Sequence, residues 1–175
     1  GEHFGLLKFA TMLKDSPNIG SGEITLKNDP RVLPFGQFLR KTKLNELPQL
    51  LNILKGDLSV VGPRPQVPNT FAQYPEAAQQ EITQVRPGLS GVGSIVFRDE
   101  ERYLEAQEDP HAFYRDVIIP YKAELERWYV RHQSLRVYFE VILLTVWVIL
   151  SPKSRLPWRV WPDLPAPPAA LRSTS

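Results

Sequence analysis

Residues 137–150, VYFEVILLTVWVIL, hold a single charged side chain, Glu140, in fourteen positions. A helix rises 1.5 Å per residue, so this run spans about 21 Å, short of the roughly 30 Å hydrocarbon core of a bilayer. It is too apolar to stand in water and too short to cross a membrane. It is therefore predicted to be either a core helix of the domain or an amphipathic helix lying on a membrane surface. Arg136, Lys153, Arg155 and Arg159 flank it and suit attraction to anionic lipid. Composition permits both readings, because 42% of the 175 residues are hydrophobic and 23% are charged, enough for one compact domain.

Cysteine is absent and only three histidines occur. That excludes a disulfide framework or a Cys-ligated metal site and argues against a His-based zinc site, so any metal must be held by carboxylates. The net charge of +2 is unevenly distributed. Residues 30–65 carry six basic side chains (Arg31, Arg40, Lys41, Lys43, Lys55, Arg64) against Glu46 and Asp57, 6 − 2 = +4, which suits an anionic ligand. Residues 75–131 carry seven basic against eleven acidic, 7 − 11 = −4, and read as solvated helical scaffold. A nucleic-acid module is disfavoured, because aromatic residues are not interleaved with the basic patch as base stacking requires.

The first residues, GEHFGLLKFATML, show no basic n-region, apolar h-region or cleavage site. Residues 4–13 read as a strand and the turn-prone KDSPNIGSG follows, so residues 23–27 are predicted to pair back as a hairpin. A chain that opens in mid-sheet is expected to be a fragment. In LNELPQLLNILK, Leu44, Leu47, Leu50, Leu51 and Leu54 recur at helical spacing. Proline fits only the first helical turn, so Pro48 places the start near Asn45, with Glu46 among the unpaired N–H groups of that turn. The alternative is a helix capped by Thr42 and kinked at Pro48.

Downstream, DLSVVGPRP reads as a short buried strand, with Arg64 held extended between two prolines. Residues 75–85 read as a helix, RPGLSGVG as a glycine-rich loop and SIVF as a further strand. Asp109 followed by Pro110 is a helix start, and helical patterning runs to about His132 with an interruption at Pro120. Residues 151–175 hold six prolines together with Trp158 and Trp161. That density argues against regular structure; the tail either sits among lipid headgroups or packs over the domain.

KFATM (residues 8–12), DPRVLPFGQFLRKTKLNELPQLLNILKGDLSVVGPRP (29–65) and RPGLSG (86–91) resemble, in order and spacing, the successive signatures of the bacterial sugar transferase family, the monotopic polyprenyl-phosphate phosphoglycosyl transferases. The similarity runs from about residue 4 to residue 150, and the long central block is its specific part. The resemblance implies an α/β domain with a small mixed or antiparallel sheet surrounded by helices. Residues 1–150 would form the catalytic domain, with 136–150 as the interfacial helix and 151–175 as a Pro-rich basic and aromatic tail. It also implies transfer of a sugar 1-phosphate from a UDP-sugar to undecaprenyl phosphate, with Mg²⁺ as cofactor and UMP as leaving group, at the cytoplasmic face of the bacterial inner membrane. The family's re-entrant membrane helix has no counterpart in these residues, which agrees with the expectation of a fragment.

In the family an Asp-Glu pair performs the phosphoryl transfer; here the pair maps onto Asn45 and Glu46. A neutral amide is a poor nucleophile and cannot neutralise a metal ion as a carboxylate does. The open alternatives are chemistry centred on Glu46, direct attack by the lipid phosphate, or a non-catalytic nucleotide-sugar-binding homologue silenced at Asn45. Arg40, Lys41, Lys43, Arg64 and Lys8 are the candidate phosphate contacts. Arg86, Gly88, Ser90 and Gly91 are the candidate nucleotide loop, and a turn requiring glycine dihedrals is the plain alternative. Glu46 and Asp57 are the candidate metal carboxylates, Asp57 having a strand-capping alternative. Val137, Phe139, Leu143, Trp147, Trp158 and Trp161 are the candidate membrane contacts.

Overall fold

A computed structural model of the protein describes residues 4–20, 29–105, 107–152 and 154–172. It comprises two compact units, Glu2–Leu58 and Ser59–Ser175.

In the first unit, the expected hairpin partner at residues 23–27 lies outside the described residues. Residues 4–13 are not assigned as a strand, and among the described residues their pairing is one antiparallel bridge, Met12 with Val32. The reason is that the backbone groups of this segment find partners one at a time. The Leu7 N–H donates to Asn52 Oδ1 (3.0 Å), and Asn52 Nδ2 donates to the Gly5 carbonyl (2.9 Å). The Phe9 N–H donates to the Asn45 carbonyl (3.0 Å), and the Leu13 N–H to that of Arg31 (2.8 Å).

Helix α1 (Pro34–Thr42) opens on proline, whose missing N–H has no helical partner at that position. It ends where Lys43 turns left-handed (φ 61°). A 3₁₀ turn, Leu44–Glu46, and helix α2 (Gln49–Lys55) follow, so α2 begins four residues later than the sequence predicts. Pro48 explains the break. An α-helical bond to the Leu44 carbonyl would have to come from the N–H that Pro48 lacks, and the Leu47 N–H takes that carbonyl instead (3.1 Å). Glu46 therefore stands in a tight turn whose N–H is already bonded to the Lys43 carbonyl (3.1 Å), not at an open helix terminus. The helix also presents its faces unexpectedly: Gln49 and Asn52 are buried, whereas Leu50 and Leu51 are exposed, as is Leu47 before it, and Leu54 is 83% exposed.

The second unit is an α/β arrangement with helices around a small sheet. Strands β1 (Ser59–Val61) and β2 (Gly88–Ser90) pair in parallel, Ser59 opposite Gly88 and Val61 opposite Ser90. Helices α3 (Pro68–Phe71) and α4 (Glu76–Ile82) supply the crossover that parallel pairing needs. The predicted glycine loop is thus a strand, and SIVF lies in or beside helix α5 (Val92–Val96) instead of a strand. Close approach of backbones accounts for the glycines: a Cβ on Gly88 would lie 2.0 Å from the Gly62 nitrogen.

Helices α6 (Glu100–Glu105) and α7 (Pro110–Phe113) come next, the latter capped by Asp109, which accepts the Ala112 N–H (3.0 Å). A π turn at Tyr114–Ile118 leads into α8 (Ile119–Arg131). Pro120 lies in the first turn of α8, and the missing N–H is absorbed by the π turn before it. Tyr74, Ala78 and Ile82 close a core against Ile119 and Ala123 of α8.

Helix α9 (Leu135–Leu150) is capped by Ser134, which accepts the Val137 N–H (3.2 Å). Val137, Val141, Leu144 and Val148 form its buried stripe, and it packs on β1, β2 and α5. Its other face carries Leu135, Phe139, Leu143, Trp147 and Leu150, all exposed. Among the described residues no helix is long and apolar enough to cross a membrane.

The tail includes short helices α10 (Leu156–Val160) and α11 (Ala169–Arg172), where proline density predicts irregular chain. Packing accounts for its order, since Trp161, Leu164 and Leu171 are buried. Trp161 Nε1 donates to Glu140 (2.8 Å), which gives the lone charge of the apolar run a structural purpose. Tyr121 and Trp128 also reach the tail, donating to the Pro165 carbonyl and to Asp163. Lys153 lies outside the described residues.

Candidate active site

The first unit brings six of the candidate residues into one neighbourhood. The basic end of α1 carries Arg40 and Lys41, the left-handed turn carries Lys43, and the 3₁₀ turn carries Asn45 and Glu46. Backbone bonds lock this path, Lys43 N–H to the Arg40 carbonyl (3.2 Å) and Glu46 N–H to that of Lys43. The bond from Phe9 to the Asn45 carbonyl brings the Lys8 segment beside the same turn. Lys8, Lys41 and Lys43 are exposed, whereas Arg40, Asn45 and Glu46 are half-buried. A left-handed non-glycine residue costs conformational energy, and here it joins the cationic helix end to the turn that bears Glu46.

Two members of the basic segment have other duties. Arg31 is buried with Asp29, its Nε donating to both carboxylate oxygens (2.9 and 3.1 Å), so it holds the unit together and is withdrawn from the ligand-facing set. Asp57 accepts from Asn52 Nδ2 (3.0 Å), part of the brace that also holds the Gly5–Leu7 segment.

In the second unit, Arg64 follows β1 in Gly62-Pro63-Arg64-Pro65. Its backbone N–H donates to Glu126 Oε1 (3.3 Å), and Nη1 reaches Ser94 Oγ (3.5 Å). The candidate nucleotide loop is occupied differently from expectation. The Gly88 N–H donates to the Pro63 carbonyl (2.9 Å), and Ser90 Oγ pairs with Thr145 Oγ1 (2.6 Å). Gly91 is extended (φ −167°), so a turn needing glycine dihedrals is not the explanation either. Gly88 and Ser90 are thus structural, while Arg86 is exposed. Val137 and Trp161 are buried and drop out of the membrane set; Phe139, Leu143 and Trp147 remain exposed, and Trp158 is half-buried with Nε1 donating to Pro165 (3.2 Å).

A profile of the bacterial sugar transferase family matches residues 1–152. The chain belongs to that family. It is 34% identical over 128 residues to the undecaprenyl-phosphate galactose phosphotransferase of Salmonella typhimurium, covering 73% of this chain and 23% of the relative. It is 33% identical over 149 residues to the undecaprenyl-phosphate glucose phosphotransferase of Komagataeibacter xylinus, covering 82% of this chain and 26% of that one. It is 34% identical over 150 residues to the uncharacterized sugar transferase EpsL of Bacillus subtilis, covering 86% and 64%. The chain therefore spans about a quarter of the length of the first two relatives and just under two thirds of the third.

Membership raises the question of a divalent cation. Among the described residues no group of three or more His, Asp or Glu side chains converges on one point. Magnesium nevertheless commonly takes one or two protein oxygens and completes its shell with water and substrate phosphates. Asn45 Oδ1 is buried and has no hydrogen-bond partner among the described residues, and Glu46 is adjacent to it. An unmatched amide oxygen beside a carboxylate fits that sparse donor set.

The sequence reading misses Glu126, which it places among the charges of a solvated scaffold. Glu126 is 3% exposed on α8, and burial pushes its carboxyl up to about 7 against the weaker opposing pull of the Arg64 N–H, Lys122 and Arg64. A signal was present: Ile119, Lys122, Ala123, Glu126 and Tyr129 share one face of the helix, so two charges interrupt a core stripe.

Proposed function

We propose that this chain is the catalytic part of an undecaprenyl-phosphate sugar phosphotransferase that moves a sugar 1-phosphate from a UDP-sugar to the lipid phosphate and releases UMP. The observation that carries the reading is the locked turn of the first unit, which sets Glu46 immediately after three cations in a chain of this family. A Glu46 carboxylate oxygen attacks the phosphorus bonded to the sugar, and the bond from that phosphorus to the UMP oxygen breaks. An oxygen of the lipid phosphate then attacks the same phosphorus and returns the carboxylate. Arg40, Lys41 and Lys43 offset charge on the phosphoryl oxygens, and Arg64 is suited to bidentate contact with a phosphate. Magnesium, held by Glu46 and Asn45 Oδ1, would neutralise diphosphate charge.

Incubation with Mg²⁺, undecaprenyl phosphate and a panel of UDP-sugars tests this directly. UMP release beyond one equivalent per protein that depends on the lipid phosphate is expected for at least one sugar, with at most a single equivalent released in its absence. UDP-sugar binding with no UMP released would replace the transferase with a binding homologue silenced at Asn45.

The site of action is the cytoplasmic membrane surface, where the lipid substrate resides. Two separate features support this. In the first unit Phe35 and Phe38 stack in the open (6.1 Å between ring centroids) on the helix that bears Arg40 and Lys41. In the second, the outer stripe of α9 combines exposed leucines with Phe139 and Trp147. Seating one such side chain in lipid is worth about 1.5–3 kcal/mol, so Leu143→Glu together with Phe139→Glu should weaken sedimentation with anionic vesicles by more than about tenfold. Unchanged sedimentation with an unchanged thermal midpoint would assign that stripe to another surface.

A further inference from the structure

We propose that Glu126 is a positioning residue for phosphate recognition, its carboxyl group holding the Arg64 backbone and residues 91–93 in the arrangement that presents the Arg64 guanidinium to a diphosphate. The inference rests on the transferase reading for the identity of that diphosphate, but not for the geometry.

The geometry is a slot built for one side chain. Glu126 reaches from α8 to the turn after β1, where Oε1 accepts the Arg64 N–H. On the other side it meets the start of α5 so closely that a Cβ on Gly93 would lie 2.4 Å from Oε1, and one on Gly91 would lie 3.7 Å from Oε2. Only glycine leaves room for the carboxyl group at the first of these positions. Ser94, the next residue, has its Oγ 3.5 Å from Arg64 Nη1. One side chain thus touches the backbone at Arg64 and abuts the residue preceding the guanidinium's own contact.

This is an expensive way to fill a core. Glu126 Oε2 is buried without a hydrogen-bond partner among the described residues, and such an atom costs stability. The cation on the same helix, Lys122, is engaged elsewhere, its Nζ 2.7 Å from both oxygens of Glu100. The charged and titratable groups around Glu126 are Arg64 from the turn, Lys122 and Tyr129 from α8, and Tyr74 ahead of α4. Neither cation closes an ion pair on it, so burial pushes the carboxyl up to about 7. A leucine would fill the space more cheaply; a carboxyl is needed where a backbone N–H must be held. It also limits the negative charge beside a phosphate-binding arginine, since a neutral acid accepts the hydrogen bond without repelling the anion.

The test is UDP binding by titration calorimetry at pH 6 and pH 8, with the full chain and its Glu126→Asp and Glu126→Gln variants, alongside thermal midpoints and UMP release. Shortening by one methylene should weaken UDP about tenfold at both pH values. Glu126→Gln keeps the acceptor and the shape but cannot ionise. It should match the parent at pH 6 and bind about threefold tighter than the parent at pH 8, where the parent's carboxylate is charged. A filler role would move the thermal midpoints and leave that pH-dependent ratio at one. The inference is overturned if Glu126→Gln tracks the parent at both pH values, if a folded Glu126→Asp binds UDP like the parent, or if the parent binds no UDP. Should Glu126→Asp fail to fold, the Glu126→Gln ratio decides. UDP binding that follows the expected pattern without UMP release would sink the transferase reading and leave this one standing.

Discussion

Glu46→Gln is expected to lower UMP release by on the order of a thousandfold or more, the usual scale for removal of a nucleophile, with the thermal midpoint read alongside to show that the variant is folded. The substitution keeps the shape of the side chain, and the bond that locks the turn runs from the backbone N–H of residue 46 to the Lys43 carbonyl, which glutamine retains. The companion variant, Asn45→Asp, separates the possible routes. It places a carboxylate where Oδ1 is buried without a partner, so it should lower the thermal midpoint in chelator and recover it in millimolar Mg²⁺. If the parent turns over and Glu46→Gln does not, Glu46 carries the chemistry without help from a second carboxylate. If the parent is silent and Asn45→Asp is active, the site is competent and the asparagine has switched it off. Turnover that survives Glu46→Gln would instead favour direct attack by the lipid phosphate.

What could be read in the residues divides by the range of the interaction concerned. Caps and breaks set by one or two neighbours were legible: Asp109-Pro110 opens α7, and β1 ends at Val61, just before the glycine and two prolines that stop it. The central motif was legible too, because Asn45 and Glu46 are adjacent in sequence and their cations lie within six residues. Errors arose where a distant backbone decides. The glycines of RPGLSG look like a loop until Gly62 is seen pressed against Gly88, since glycine permits both flexibility and close approach and sequence alone does not say which is used. Leucine periodicity announced this helix, although with a start near Asn45 that Pro48 displaces to Gln49, and did not announce that its polar side would face inward, because Asn52 serves a segment some 45 residues away. Glu126 was hidden for a related reason, as its partner Arg64 lies 62 positions earlier in the chain.

Arg31→Met should destabilise the folded chain by about 3–5 kcal/mol, the range for leaving one member of a buried ion pair alone. Arg31 and Asp29 are 3% and 5% exposed, and their contacts are saturated. Besides the paired Nε bonds, the Arg31 backbone N–H donates to Asp29 Oδ1 (3.0 Å), and Nη1 donates to the carbonyls of Ser16 (2.6 Å) and Ile19 (2.8 Å). The guanidinium therefore ties the loop at residues 16–19 to the turn that launches α1, and its bonds to Asp29 hold its own proton more firmly than usual. Methionine fills similar space but abandons a buried carboxylate and two carbonyls. The double variant Asp29→Asn with Arg31→Met should recover most of the loss, because the uncompensated charge is gone, and urea unfolding of the three proteins measures the difference. A loss below about 1 kcal/mol for Arg31→Met would mean that water reaches Asp29, and would return Arg31 to the cations available for a ligand. The expected outcome instead separates the basic segment into a cation that builds the turn and the cations, led by Arg40, that the turn presents.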